Sequence, residues 1–163
     1  MTDHYPPLIA ELLAIPHPTA LGVGSPNETA GARLRGLDPV AVFAPIPVHE
    51  LDMAKSCLAG LWLRFDFLDE SHKISQEVET PTGSFWHAIM HRREGDFGNS
   101  KYWWRRVGQH PALIGDPSAF VDAVEACVVR GEGAVTALQA QQRREWETLF
   151  DYCYRCAVAT RET

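Results

Sequence analysis

Between Leu51 and Leu68 apolar residues return every three or four positions rather than every second one. At roughly 100° per residue, Leu51, Ala54, Leu58, Leu61, Trp62, Phe65 and Leu68 share one face, which predicts a helix from Glu50 to about Gln76. On that helix His72 and Gln76 continue the apolar stripe, and polar groups so placed must find partners inside the protein. A second amphipathic pattern runs from Ala134 to Ala159, with Leu138, Trp146, Leu149, Phe150, Cys153 and Cys156 on its inner face. Two long helices of this kind must bury their stripes against other helices. The expected fold class is all-α: a single domain over residues 1–163, two long helices packed with several short ones.

Turn chemistry places the short helices. Pro6 and Pro7 open one over Tyr5–Ile15, and Pro16 follows its end. Thr80-Pro81-Thr82-Gly83 reads as a turn, after which Ser84 caps a helix to Glu94 that Gly95 ends. Asn99 or Ser100 caps the next, through Val107 with Gly108 beyond it. Asp116-Pro117 starts a helix carrying Phe120, Val124 and Cys127 inward, ended by Gly131. Residues 16–48 show little helical periodicity and many prolines and glycines. They are expected to form a long irregular segment covering the helical body, with Pro39–Val48 extended against it.

Composition narrows the function classes. With 163 residues, 45% of them hydrophobic and 22% charged, the chain matches a soluble globular domain. It holds no apolar run of the roughly 20 residues a membrane span needs. The first residues lack the basic start and long apolar core of a secretory signal, so a cytoplasmic location is expected. Cys57, Cys127, Cys153 and Cys156 are too few and too scattered for a disulfide framework. Cys153 and Cys156 stand two apart near a helix C-terminus, on its inner face. A redox dithiol opens a helix instead, so packed core thiols are expected.

The stretch from Gly83 to Pro111 gathers three of the seven histidines, four arginines and three of the five tryptophans. A pocket for a polar ligand needs this mixture of apolar wall and convergent charge. His87 and His91 stand one helical turn apart, with Glu94 beside them. Joined by His72 from the neighbouring helix, they could hold Zn²⁺ or Fe²⁺. A zincin helix would need glutamate directly after the first histidine, and Ala88 stands there. By the bland reading, two histidines at this spacing simply pair with acids or carbonyls.

Arg92, Arg93, Lys101, Arg105 and Arg106 against Glu94 and Asp96 leave a local excess of three positive charges in a chain of net −6. Guanidiniums grip carboxylate or phosphate in bidentate fashion, and Tyr102, Trp103 and Trp104 offer stacking faces. The start of the second short helix adds free backbone N–H groups. Equally, the arginines can pair internally with Glu94, Asp96, Asp66, Asp69 and Glu70. The acidic remainder of the chain argues against a nucleic-acid partner.

Ser71-His72-Lys73-Ile74-Ser75-Gln76, Thr80-Pro-Thr-Gly-Ser-Phe-Trp-His-Ala-Ile-Met-His-Arg-Arg-Glu-Gly-Asp96 and Asn99-Ser-Lys-Tyr-Trp-Trp-Arg-Arg-Val-Gly-Gln-His-Pro111 together resemble a family of small uncharacterised proteins from bacteria and fungi. The likeness runs from Phe67 to Pro111. It implies no activity, but it groups His72, Gln76, His87, His91, Arg92, Arg93, Glu94, Asp96, Asn99, Lys101, Tyr102 and Arg105 in one motif.

The expectation is a polar pocket between central helices. His72, His87 and His91 are its metal ligands or proton-transfer groups, with Glu94 or Asp96 orienting an imidazole or acting as a base. Gln76, Arg92, Arg93, Asp96, Asn99, Lys101, Tyr102 and Arg105 receive a small anionic molecule, for hydrolase or lyase chemistry. The alternative is a helical interaction or ligand-sensing protein whose motif is a structural network of ion pairs and stacked rings. No membrane partner is expected, and the tryptophan content leaves a homodimer open.

Overall fold

Four helices begin on a side chain that accepts a backbone N–H three residues on, the first of them at Asn27. Thr80 takes the Gly83 N–H (3.2 Å), Asp96 that of Asn99 (3.1 Å) and Asp116 that of Ala119 (3.1 Å). Pro81 and Pro117 follow two of these caps, where no N–H is needed. The computed structural model describes residues 4–160. Its helices are α1 (Pro7–Leu13), α2 (Glu28–Leu34), α3 (Leu51–Arg64), α4 (Leu68–Ser75), α5 (Pro81–Glu94), α6 (Phe97–Val107), α7 (Pro117–Arg130) and α8 (Val135–Val158), with a 3-10 turn at Ala41–Phe43. No strand occurs among the described residues, so the protein is all-helical. None of its helices is long and apolar enough to cross a membrane.

The predicted helix from Glu50 to Gln76 is two helices. The chain leaves helical geometry after Arg64, and Asp66 adopts a left-handed φ of 67°. The N–H groups of Asp66 and Phe67 close the turn on Leu63 O (3.2 Å) and Trp62 O (3.0 Å). The cause is the Asp66 carboxylate: buried, it is satisfied by His17, Ser25 N–H and Arg93, which lie to the side of α3 rather than along it. Asp is among the few residues that tolerate this backbone region. α4 therefore packs against both α3 and α5. Only α8, at 24 residues, is long, while α3, α5 and α7 have 14 each.

Smaller differences also have local causes. α5 starts at Thr80-Pro81 rather than Ser84, and α6 at Asp96-Phe97 rather than Asn99, because the earlier cap residue is free to accept in each case. The segment 16–48 does cover the body, burying Leu21, Ala30, Leu34, Val42 and Phe43. It is not wholly irregular, however. Asn27 caps α2 by accepting the Ala30 N–H at 3.1 Å, and Val42 and Phe43 sit in the 3-10 turn rather than an extended strand.

α5 lies at the centre, with every residue from Thr82 to Arg93 buried. Phe85, Trp86 and Ile89 join Leu61, Phe65, Leu149 and Phe150 in one apolar core. Cys57 and Cys153 are part of it as free thiols, and burial pushes the Cys57 thiol well up. Close approach of the chain to α5 is set at Gly83, where a Cβ would stand 1.9 Å from the Val78 carbonyl oxygen. Backbone cannot swing aside as a flexible side chain can. Gly83→Ala is expected to cost about 1–3 kcal/mol, the usual range for overpacking, read as a lowered urea midpoint at unchanged slope.

Candidate functional site

α5 carries His87 and His91 one turn apart, and α4, folded back by the Asp66 turn, brings His72 against them. The Nε2 atoms of His72 and His87 stand 3.0 Å apart. The His87 and His91 rings stack at 4.7 Å between centroids, and His72 meets His91 edge-on at 5.5 Å. One ring nitrogen from each of the three lies within 4.8 Å of the other two. Two nitrogens bound to one Zn²⁺ at 2.0–2.1 Å and a tetrahedral angle would be about 3.3 Å apart, a separation close to the 3.0 Å between His72 and His87.

Around the rings, α6 supplies the wall. Trp103 stacks on His87 at 3.9 Å with 17° between planes. Asn99 points its amide nitrogen at His91 Nε2 (3.3 Å), while Glu94 sits 2.5 Å from His91 Nδ1. An amide N–H donating to Nε2 leaves the His91 proton on Nδ1, where the Glu94 carboxylate accepts it. His91 thus offers the Nε2 lone pair inward, with a carboxylate fixing its tautomer. Asp96 caps α6, and its carboxylate forms a second compact group with His91 and Glu94 on the exposed side.

Burial, reinforced by the neighbouring His91 and His72, pushes the His87 pKa down to about 3. His72 is also lowered, by burial first and His91 second, against the opposing pull of Glu94 and Asp69. Both rings are neutral at pH 7 and carry a lone pair, the form a metal requires. His87 Nδ1 is buried with no hydrogen-bond partner.

The arginines go elsewhere. Arg92 is fully buried and clamps Glu145 of α8 in bidentate fashion (3.1 and 2.6 Å). It also reaches Gln142 Oε1 at 3.3 Å and lies over the Phe120 ring. Arg93 pairs with Asp66 and donates to the Gly22 carbonyl at 2.8 Å. Each of the two guanidiniums is thus held by an internal carboxylate, away from the histidines. Lys101 pairs with Asp122 at the surface. Tyr102 and Arg105 are exposed, the guanidinium 5.9 Å from the ring centroid. Gln76, exposed at the end of α4, lines an open groove of about 490 Å³ with Ser84, Trp103 and Arg106. This groove continues the α4–α5–α6 seam beyond the imidazoles.

Thus His72, His87, His91, Glu94, Asp96 and Asn99 are brought together, and Gln76 lies one helical turn beyond them. Arg92, Arg93, Lys101, Tyr102 and Arg105 are not at the cluster. Sequence reasoning missed Glu145 and Gln142, although both adjoin the inner stripe of α8 marked by Trp146 and Leu149. The rule applied to His72 would have found them. It also missed His17, whose contact with Asp66 (2.7 Å) spans 49 residues.

Family models, curated proteins and solved structures yield no match to this chain.

Two outcomes are expected. Arg92→Met leaves Glu145 charged and nearly buried, costing about 3–5 kcal/mol, whereas Arg92→Met with Glu145→Leu recovers most of that loss; urea unfolding of the double-mutant cycle measures it. In metal-free protein His87 stays neutral until about pH 3 while the unfolded chain protonates near the ordinary histidine value. The unfolded state then binds the extra proton, so His87 makes stability fall as pH drops from about 6.5 toward 3. His87→Gln should flatten that part of the pH–stability profile.

Proposed function

We propose that the protein binds one divalent metal ion, Zn²⁺ or Fe²⁺, through His72, His87 and His91, and presents it to a small anionic molecule for hydrolytic or lyase chemistry. The observation that carries this reading is the convergence of three imidazoles from α4 and α5 within 4.8 Å. Two of them are held neutral by their surroundings. Three nitrogen ligands leave a fourth position open, the arrangement of catalytic rather than structural zinc. Metal binding at His91 Nε2 would replace the Asn99 hydrogen bond and keep the one to Glu94.

In this reading a bound metal would bring the pKa of its water near 7 and supply hydroxide at neutral pH. The protein's own groups then divide the work. Glu94 fixes His91, and its partly exposed carboxylate is placed to pass a proton to solvent. Trp103 shields His87 from water. Gln76 and Arg106, along the adjoining groove, would hold the anionic end of the substrate in place of Arg92 and Arg93.

One observation favours the non-catalytic alternative of a ligand-sensing or interaction protein: Arg92 and Arg93, the most buried cations of the motif, serve only to pair with Glu145 and Asp66. Metal content separates the two. Protein dialysed against Zn²⁺ or Fe²⁺ and then desalted should retain about one equivalent, and His72→Ala and His91→Ala should each lose it. Saturating metal at about 100 times its Kd should stabilise the wild type by roughly 2.7 kcal/mol, seen as a raised Tm that a chelator reverses. Absence of retained metal, together with a Tm indifferent to both ions, would leave the structural network as the reading.

A further inference from the structure

On the side of α5 away from the imidazoles, the irregular segment 16–25 roofs a cavity of about 40 Å³ between α3, α5 and α8. Room for one water needs roughly 10–15 Å³ on this measure, so the space admits a group of several heavy atoms. Its polar walls are His17 and Thr19 from the segment, Arg64 at the end of α3, Arg93 on α5, and Gln142 and Arg143 on α8. Three guanidiniums line one small space, and no carboxylate lines it.

The nearest acid is already used. Asp66 gives one oxygen to Arg93 and the other to His17 (2.7 Å) and the Ser25 N–H (3.0 Å). Arg64 has no ion pair: its one hydrogen bond runs to the Leu13 carbonyl (3.4 Å), and its Nε–H is buried without a partner. Its faces lie toward Phe65 and Trp146, which fix the guanidinium plane. Arg143 donates to Thr19 Oγ1 at 3.2 Å and likewise has no carboxylate. Burial lowers the Arg64 pKa, Glu147 opposes it, and the repulsion of Arg143 adds a smaller lowering. A half-buried cation with a buried, unfilled donor faces a second cation across the cavity, and no carboxylate among the described residues forms an ion pair with either.

We infer that this cavity binds a small oxyanion, a carboxylate or phosphate group, between Arg64 and Arg143, with Thr19 closing it from the N-terminal segment. Planar guanidinium forks match both groups, and charge-assisted hydrogen bonds are the strong ones. The volume limits the guest to the anionic end of a metabolite or to a free inorganic ion. Because its walls come from α3, α8 and the segment, the guest ties the N-terminal cover to the body. The inference is independent of the metal: Ile89 and Arg93 face this cavity from the side of α5 opposite His87 and His91.

The test is calorimetric titration of the full-length protein with sodium phosphate and with sodium acetate, at constant ionic strength held by sodium chloride. Saturable binding of either at about one per chain is expected, with a rise in Tm. Arg143→Gln, at an exposed position where folding is not in question, should weaken binding about tenfold or more, and Arg64→Gln similarly. Arg155→Gln, which breaks only an exposed pair with Asp151, should leave it unchanged. Persistence of binding in His91→Ala separates this site from any anion held at a metal. No saturable binding of either probe, or affinities unaltered in both Arg143→Gln and Arg64→Gln, would overturn the inference.

Discussion

α5 has no face in water, and that single constraint organises the molecule. A helix with one wet side can leave its polar residues there; α5 buries everything from Thr82 to Arg93, so its polar side chains turn to different neighbours on every side. Thr82 meets His110 Nε2 (3.0 Å), and His87 meets His72 on α4. The Ala88 carbonyl receives Ser100 of α6 at 2.7 Å. Arg92 takes Glu145 of α8, and Arg93 takes Asp66 and the Gly22 carbonyl. The positions of α4, α6, α8 and the N-terminal segment are thus each pinned by a separate polar contact to one helix. Such buried pairs add little net stability over apolar packing, but a lost partner costs several kcal/mol. Their effect is to penalise every arrangement except this one.

Much of the helical content was legible because it rests on local chemistry. The pairs Asp116-Pro117 and Val107-Gly108, and the glycines at 95 and 131, mark ends that are decided within a few residues. The break after Arg64 was not legible, since the apolar stripe runs through it without fault. It arises from a carboxylate whose three partners lie 27 to 49 residues away in sequence. Nor does α5 divide into an oily side and a polar side. An enclosed helix shows no such division, because its polar residues are directed by what surrounds them.

The candidate site divides along the same line. His87 and His91 share a face by spacing alone, and His72 was identified because an imidazole continuing an apolar stripe needs a partner. Its partner proved to be the other two imidazoles. Adjacent arginines looked like part of the same pocket because they are neighbours in sequence. On a helix, adjacent residues point about 100° apart, so Arg92 and Arg93 face α8 and the Asp66 turn while His91 faces α6. Nearness along the chain was mistaken for nearness in space. Arg64 and Arg143, neither of which forms an ion pair among the described residues, lie on other helices, outside the motif.

The two proposed sites occupy opposite faces of a helix that cannot move freely. His87 and His91 look toward α4 and α6, Ile89 and Arg93 toward the roofed cavity, about 200° around the axis for a two-residue step. An ion drawing the three imidazoles together would pull α4 onto α5. An anion between Arg64 and Arg143 would hold the end of α3 against α8. α3 and α4 are joined by the turn at Asp66, and that carboxylate grips Arg93 on α5. Any shift of α4 is therefore resisted by the same residues that wall the cavity. Linkage requires that if one ligand favours a particular seating of the turn, the other alters its affinity by an equal factor. The Asp66–Arg93 pair joins that turn to a residue walling the cavity, and such a factor would act on it.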